Sequence, residues 1–459
     1  MAAATQTAAV DSPNNVPLRS ALRKAAWRIL PLLGICYLVA YMDRANISFA
    51  AESMNHDLHF TSTIYGFGAG LFFLSYASCE VPSNHLLLRF GARRWLARIM
   101  LTWGLLAAAM MFVRTPAHFY GARLLLGCAE AGYFPGALYF LSQWFPVRQR
   151  ARAISFFYIS LPLSTVLMGG VAGSLLKLDG RLGLRGWQWM FLVEALPAIL
   201  LAFVVWFALP HSIKQAKWLT DAERSALTLE LATNPSPHGH AAGAFGRVVR
   251  DPRILLLGLM YFLSLGVMYA EIFSLPIVLR QLTGWPAGNV GYLIAAVGLS
   301  GAASMLAVGW LSSHTGYRRR YVVSGYIVIA VAAATLGLHF SGWTAVITSL
   351  TMVLTFFAIQ GPAVSAMTTA APGEASAVAI AFINMFAIVG GFVGPYWMGW
   401  MHDKTGGYAT GLGWLCVPSL MAAVVAAKVV QDAREASHPL AANTPIDDIS
   451  PDIRALEGA

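Results

Sequence analysis

Charge is what this sequence has least of. Of its 459 residues only 11% are charged, while 57% are hydrophobic. Soluble globular chains carry about 25% charged residues, so this composition excludes that class and implies an integral membrane protein. Cysteine is scarce as well. Cys36, Cys79, Cys128 and Cys416 all lie inside apolar stretches at no metal-like spacing. They read as small core hydrophobes, so neither a disulfide framework nor a metal centre is expected. The chain has no GxxxxGK[ST] phosphate loop, which argues against nucleotide hydrolysis. No Ser/His/Asp or metal-ligand cluster forms within the apolar stretches, which argues against a membrane enzyme, and no cofactor is expected. Residues 1–18 lack an apolar stretch, so no cleavable signal peptide is expected.

What the chain does have is long apolar runs. At about 20 residues per span, twelve segments qualify: roughly 27–50, 62–87, 93–113, 117–143, 152–176, 187–209, 254–280, 287–312, 320–340, 343–368, 376–401 and 408–431. The net charge of +10 suggests nucleic acid, but its placement points to a lipid bilayer instead. If both termini lie on one face, 23 of the 31 Lys and Arg fall on that face and six on the other. That asymmetry is the positive-inside pattern, so both termini are expected in the cytoplasm and no nucleic-acid partner is expected. The longest polar stretch divides the chain six and six. The expected organisation is a disordered tail over 1–26, a six-helix bundle over 27–210, a cytoplasmic linker over 211–252, a second bundle over 253–432 and a tail over 433–459. Within the linker, Thr220 and Glu223 form a capping-box pattern that predicts a short helix.

A repeat supports the two halves. Arg89, Gly91, Arg93 and Arg94 follow the second span, and His314, Gly316, Arg318 and Arg319, preceded by Gly309, follow the eighth. Glycine permits a tight reversal between helices, and the arginines anchor it at an anionic leaflet. Charges also sit where lipid should be: Asp43, Arg44, Arg123, Glu130 and Glu271 interrupt apolar runs. A charge at the centre of a span costs roughly 2.5–3.5 kcal/mol on insertion scales, so such residues face a protein interior or a water-filled route. Tyr41 and Arg44 are three residues apart and share a helix face, with Tyr37 on the same side. A guanidinium beside tyrosine hydroxyls offers a planar fork for a carboxylate. The alternative role for Arg44 is an ion pair with Asp43 or Glu130. Arg123 and Glu130, seven apart, also share a face.

The two glycine–arginine turns resemble the major facilitator superfamily signature, roughly G-x-x-x-D-[RK]-x-G-x-[RK]-[RK]. The C-terminal copy has Ser313 at the acidic position, and the N-terminal copy has Asn84 for Gly and Leu88 for Asp. More specifically, YMDRANIS (41–48), EVPSN (80–84), FGARRWLARIMLTWG (90–104), RLLLGCAEAGYFPGALYFLSQWFP (123–146), GWQWMFLVEALPA (186–198) and GGFVGP (390–395) resemble the anion:cation symporter family. The pattern is most similar to bacterial tartrate- and phthalate-type organic acid permeases.

The resemblance implies an all-α membrane protein of twelve helices in two pseudo-symmetric six-helix bundles, acting as a monomer in the bacterial inner membrane. It implies proton-coupled uptake of an organic carboxylate by alternating access, driven by the proton gradient. Efflux or exchange of an anionic metabolite is the alternative direction. A transporter-like sensor is the alternative class, and it would require a signalling domain. The family motif assigns proton handling to Asp43 and Glu130, with Arg123 as counter-charge. The other possibility is a fixed Asp43–Arg123 bridge with one titrating acid. Family position places Asn384 in the substrate cavity with Tyr41 and Arg44, and the two glycine–arginine turns at the conformational gate; Gln360, just before Gly361 and Pro362, is expected as a second ligand. Glu194 is expected to brace its helix, and Glu80 to cap a helix end or pair with the arginines after it. Glu271 matches no motif. It is either a second proton site, a filter against wrong substrates, or a residue reaching a solvated entrance.

Overall fold

The computed structural model describes residues 16–146, 159–233, 248–338, 342–368 and 375–432, together with 149, 153, 154, 157 and 246. The expected tail over 433–459 and most of the expected loop after 233 lie outside these residues. The first bundle comprises α1 (Val16–Leu58), α2 (Ser62–Phe90), α3 (Ala92–Ala109), α4 (Pro116–Glu130), α5 (Tyr133–Trp144), α6 (Ser160–Leu176) and α7 (Gly186–Ala208). The linker helix α8 spans Asp221–Thr233. The second bundle comprises α9 (Pro252–Thr283), α10 (Ala287–Thr315), α11 (Arg318–Gly337), α12 (Trp343–Thr368), α13 (Ala375–Thr405), α14 (Tyr408–Trp414) and α15 (Cys416–Val429). Among the described residues eleven stretches are long and apolar enough to cross a membrane, and the shorter α6 completes the twelve-helix architecture. Side chains such as Phe207, Leu200, Val331 and Val424 lie exposed on the outside, as lipid-facing residues must.

Local chemistry sets the helix ends. Thr61 accepts from the Ile64 amide and Thr115 from the His118 amide, each at 3.2 Å, so both act as N-caps. Gly91 and Gly316 close α2 and α10 with φ of 84° and 76°, a backbone that only glycine adopts cheaply. Their amides bond back to Leu87 and Ser312. These are the two turns expected from the sequence repeat.

Two elements differ from the sequence expectation. The first helix begins at Val16, inside the stretch expected as tail, because Leu18, Ala21 and Ala25 are buried. The linker helix covers that extension. Glu223 accepts from the Ser20 hydroxyl at 2.6 Å and from Lys24 Nζ at 2.8 Å, while its own capping box with Thr220 forms at 2.8 and 3.3 Å. Fourth in order, the span over α4 and α5 is broken at Ala131–Gly132, where Gly132 takes φ of 88°. Ser83 Oγ donates to the freed Ala131 carbonyl at 2.6 Å and accepts from Trp95 Nε1 at 3.0 Å.

The bundles meet through helix pairs crossing on small residues. A Cβ on Gly66 of α2 would lie 2.2 Å from the Pro395 carbonyl of α13, and one on Gly173 of α6 would lie 2.2 Å from the Gly288 Cα of α10. Such backbone approach replaces the hydrophobic drive that lipid removes. The contacts gather at the face opposite the termini, called the far face below. There Arg280 of α9 pairs with Glu52 of α1 at 2.7 Å. Asp403 of α13 accepts from the Ser62 and Thr63 amides at 3.1 and 2.7 Å, and Ser62 Oγ lies 2.9 Å from His402 Nδ1. The far face is closed.

Candidate functional site

Between the bundles lies a cavity of about 1090 Å³, open toward the face that carries the start of α1. Leu22, Arg23, Ala26 and Trp27 of α1 line its mouth, with Arg318 of α11. Deeper in, Tyr37, Tyr41, Arg44 and Tyr76 line one wall, and Tyr261, Tyr269, Gln360 and Asn384 the other. All four residues expected to contact substrate, Tyr41, Arg44, Gln360 and Asn384, therefore reach the same space from opposite bundles.

Arg44 is the charged centre of that wall. Its guanidinium lies 5.1 Å from the Tyr41 ring, 4.9 Å from Tyr76 and 5.5 Å from Phe72, a distance range over which aromatic faces attract cations. Behind it, Nη2 pairs with Glu130 Oε1 at 2.5 Å. Of the two ion pairs open to Arg44 in the sequence, this is the one that forms. Tyr37 donates to the Tyr41 hydroxyl at 3.4 Å and stacks on Phe157 at 4.1 Å, which fixes the aromatic wall.

Asp43, Arg123 and Glu130 do not line the cavity. They lie behind its wall and are almost fully buried. Asp43 accepts from Trp103 Nε1 at 2.9 Å and from Asn46 Nδ2 at 3.2 Å. Arg123 donates to the Ala69 carbonyl at 3.1 Å and lies 4.8 Å from the Phe72 ring. Among the described residues the ion pair within this cluster is Arg44–Glu130, and the alternative Asp43–Arg123 bridge does not form. Two guanidiniums and two carboxylates thus share one desolvated pocket, where removing one partner of a pair leaves the other uncompensated at a cost of about 3–5 kcal/mol.

Three further acids lie outside this set. Glu80 caps no helix end and pairs with none of the arginines that follow it. Its Oε1 accepts from Asn384 Nδ2 at 3.4 Å, so it joins the two bundles across the cavity. Glu194 is buried, yet neither of its carboxyl oxygens has a hydrogen-bond partner, so it does not brace α7 by such a bond. Glu271 is buried on α9 with Oε1 unpartnered, rather than reaching a solvated entrance. Tyr76, Tyr269 and Trp103 were not singled out from the sequence. The one signal available was the four-residue spacing from Tyr76 to Glu80, which puts both on one face of α2.

The glycine–arginine turns lie at the open face. Gly309 and Arg318 border the cavity. Arg319 receives the acid that Ser313 does not supply: its amide donates to Asp432 Oδ1 at 2.8 Å, just past α15. In the other copy Arg93 lies 5.8 Å from the Trp206 ring of α7, and Arg89 5.7 Å from Phe90. Arg94 sits in the same first turn of α3.

A multi-pass membrane protein with a central cavity between two helical bundles is a transporter architecture. The chain belongs to the Major Facilitator Superfamily, whose sequence pattern matches residues 33–395. It is 41% identical over 409 residues to an Agrobacterium vitis protein named as a tartrate transporter, covering 88% of this chain and 93% of that one. It is 36% identical over 416 residues to a quinolone resistance transporter of Acinetobacter baumannii, covering 89% and 94%. The partially occluded inward-open structure of the Escherichia coli xylose transporter XylE superposes with a TM-score of 0.70 at 15% identity, covering 90% of this chain and 99% of that one, which shows the shared fold.

Proposed function

We propose that this protein carries an organic carboxylate, tartrate-like or a sugar acid, into a bacterial cell together with protons by alternating access. The observation that carries the reading is Arg44, a cation presented to the cavity and held from behind by Glu130 at 2.5 Å. With both termini in the cytoplasm, the open face is the inner one and the conformation is inward-facing. Glu130 and a substrate carboxylate compete for one guanidinium. When Glu130 is ionised it occupies Arg44 and the substrate leaves. When Glu130 holds a proton, Arg44 is free to bind the substrate through two parallel hydrogen bonds. Protonation of one site and anion binding at the other thereby become a single event. The loaded form and the empty form with its Glu130–Arg44 pair then cross without an uncompensated buried charge, whereas a half-loaded form does not. Asp43, held by Trp103, Asn46 and the nearby Arg123, acts with Glu130, while Asn384 and Gln360 supply neutral hydrogen bonds from the other bundle.

The test is counterflow in proteoliposomes with a panel of tartrate, phthalate, sugar acids and monocarboxylates, followed by uptake under an imposed inward proton gradient. Glu130→Gln mimics the protonated form permanently. It is expected to retain exchange between two substrate pools and to lose proton-driven accumulation. Accumulation at the wild-type level in that variant would move the coupling site elsewhere. A second reading, export of an anionic compound, draws on the relative named for quinolone resistance. Inside-out vesicles that concentrate the substrate in response to a lumen-acid gradient would favour it.

A further inference from the structure

The first bundle buries more acids than cations. Among the described residues Asp43, Glu80, Glu130 and Glu194 are buried there, against one buried cation, Arg123, and the partly buried Arg44. Glu130 is taken by Arg44, Asp43 holds two donors, and Glu80 receives Asn384. Glu194 has nothing of the kind. It is 6% exposed and both oxygens lack a hydrogen-bond partner among the described residues.

From α1 Glu194 meets Asn46 and Asp43, the polar groups that bear on it. From α3 comes Trp103, whose indole is turned to Asp43. The arginines of α3, Arg93, Arg94 and Arg98, lie in its first half: Arg98 sits 3.9 Å from the Trp95 ring, and Arg93 meets Trp206, twelve residues or about 18 Å along α7 from Glu194. The neighbouring α6 has no charged residue. Toward the far face Asp57 and Arg185 pair with each other at 3.2 Å, Trp187 Nε1 donates to Asp57 at 3.1 Å, and Asp179 accepts from the Gly186 amide at 2.7 Å. Among the described residues no cation pairs with Glu194, and the Asn46 amide is its one neighbouring donor. A buried carboxylate without a counter-ion costs several kcal/mol, whereas the neutral acid does not.

We propose that Glu194 is a third proton site of the transport cycle, exchanging its proton with Asp43. In the step the Glu194 O–H bond breaks and an Asp43 carboxylate oxygen takes the proton. The negative charge moves from Asp43 to Glu194, and the net charge of the bundle is unchanged. Asn46 is placed to follow that charge. Its amide donates to Asp43 now and has Glu194 as its other polar neighbour. A proton held there lies behind the cavity wall, out of reach of the substrate, so the site serves coupling and takes no part in recognition.

This inference rests on the proton coupling proposed above, and the experiment separates the two. Wild-type and Glu194→Gln chains are reconstituted with a trapped pH-sensitive dye, and radiolabelled tartrate uptake is followed with proton influx across a pH series. The expected result is tartrate exchange close to wild type in Glu194→Gln, with a lower proton-to-tartrate ratio and one of two steps lost from the pH profile of a coupled pair. A wild-type ratio and profile in the variant overturns the inference while leaving proton coupling intact. Absence of proton influx in the wild type overturns both. Infrared titration of the detergent-solubilised wild type needs no transport. The carbonyl band of a protonated buried carboxyl should be present, vanish in Glu194→Gln and shift in Asp43→Asn. Its absence from the wild type, or a band indifferent to Asp43, overturns the proposal.

Discussion

The two bundles share an architecture but not a chemistry. The first places Asp43, Glu130 and Glu194 behind its cavity wall with Arg123, and presents Arg44 through a ring of Tyr41, Tyr76 and Phe72. The second offers the deep part of the cavity Asn384, Gln360, Tyr261 and Tyr269, all neutral, with Arg318 only at the mouth, and its one deeply buried acid among the described residues is Glu271. On the proposed function, the duplicated fold divides its work: one half handles charge, and the other supplies neutral contacts and a surface to move against. Both partners of the Arg44–Glu130 pair lie in the first half.

The sharpest test of that division compares the two walls. Arg44→Lys keeps the charge but removes the fork, so roughly 1.5–3 kcal/mol of charged hydrogen bonding is at stake. Substrate affinity is expected to fall about 10- to 100-fold, read by binding calorimetry on properly inserted protein. Asn384→Ala removes a neutral bond worth about 0.5–1.5 kcal/mol and should weaken binding by about tenfold at most. Equal losses at the two positions would end the claim that recognition is weighted to the first bundle.

Glu271 gives the second test. Glu271→Gln is expected to leave proton-driven accumulation unchanged, in contrast to Glu130→Gln. Glu271→Leu removes a buried polar group with an unpartnered oxygen and should raise stability by about 1–3 kcal/mol, seen as a higher thermal midpoint. Loss of coupling in Glu271→Gln would place proton chemistry in both halves.

The smallest expected effect concerns how each half holds its loose end. The Lys24 ammonium, the Ser20 hydroxyl and the Thr220 amide hold Glu223 at about 2, below its ordinary 4.5. Because the folded value is depressed, this contribution to docking α8 is complete above about pH 4.5 and is lost as pH falls toward 2. Amide exchange in α8 should therefore accelerate over that window in the wild type. In Glu223→Gln it should be faster at neutral pH and nearly flat with acid. Exchange at the wild-type rate at neutral pH in the variant would assign the docking to Trp218, which stacks on Trp144 at 5.4 Å.

Much of this was readable before the structure. Arg44, Asp43, Arg123, Glu130 and Asn384 announce themselves because a charge or an amide inside an apolar run needs a reason to be there. The glycine turns were legible because φ at Gly91 and Gly316 is a local demand. Tyr76, Tyr269 and Trp103 were not, since aromatics make up 12% of the chain and nothing local says which ones turn toward Arg44 or Asp43. Glu80 was misplaced because its partner Asn384 is 304 residues away. The unpartnered oxygens of Glu194 are a three-dimensional fact that no motif encodes. The helical start of α1 escaped because it is secured by α8 and shows no membrane signature of its own.

The clasp on the far face has a mechanical implication. Asp403 satisfies the first amides of α2 from the opposite bundle, so it serves as a borrowed N-cap. On the proposed cycle, each turnover strips a helix of that cap and later restores it. A cap is worth about 1 kcal/mol, enough to bias the door shut yet far too little to trap it. The exposed helix end would then be an attractive perch for any small anion in the surroundings. External sulfate or phosphate should prop the door open, and transport would carry an imprint of the medium's anions unrelated to what it carries.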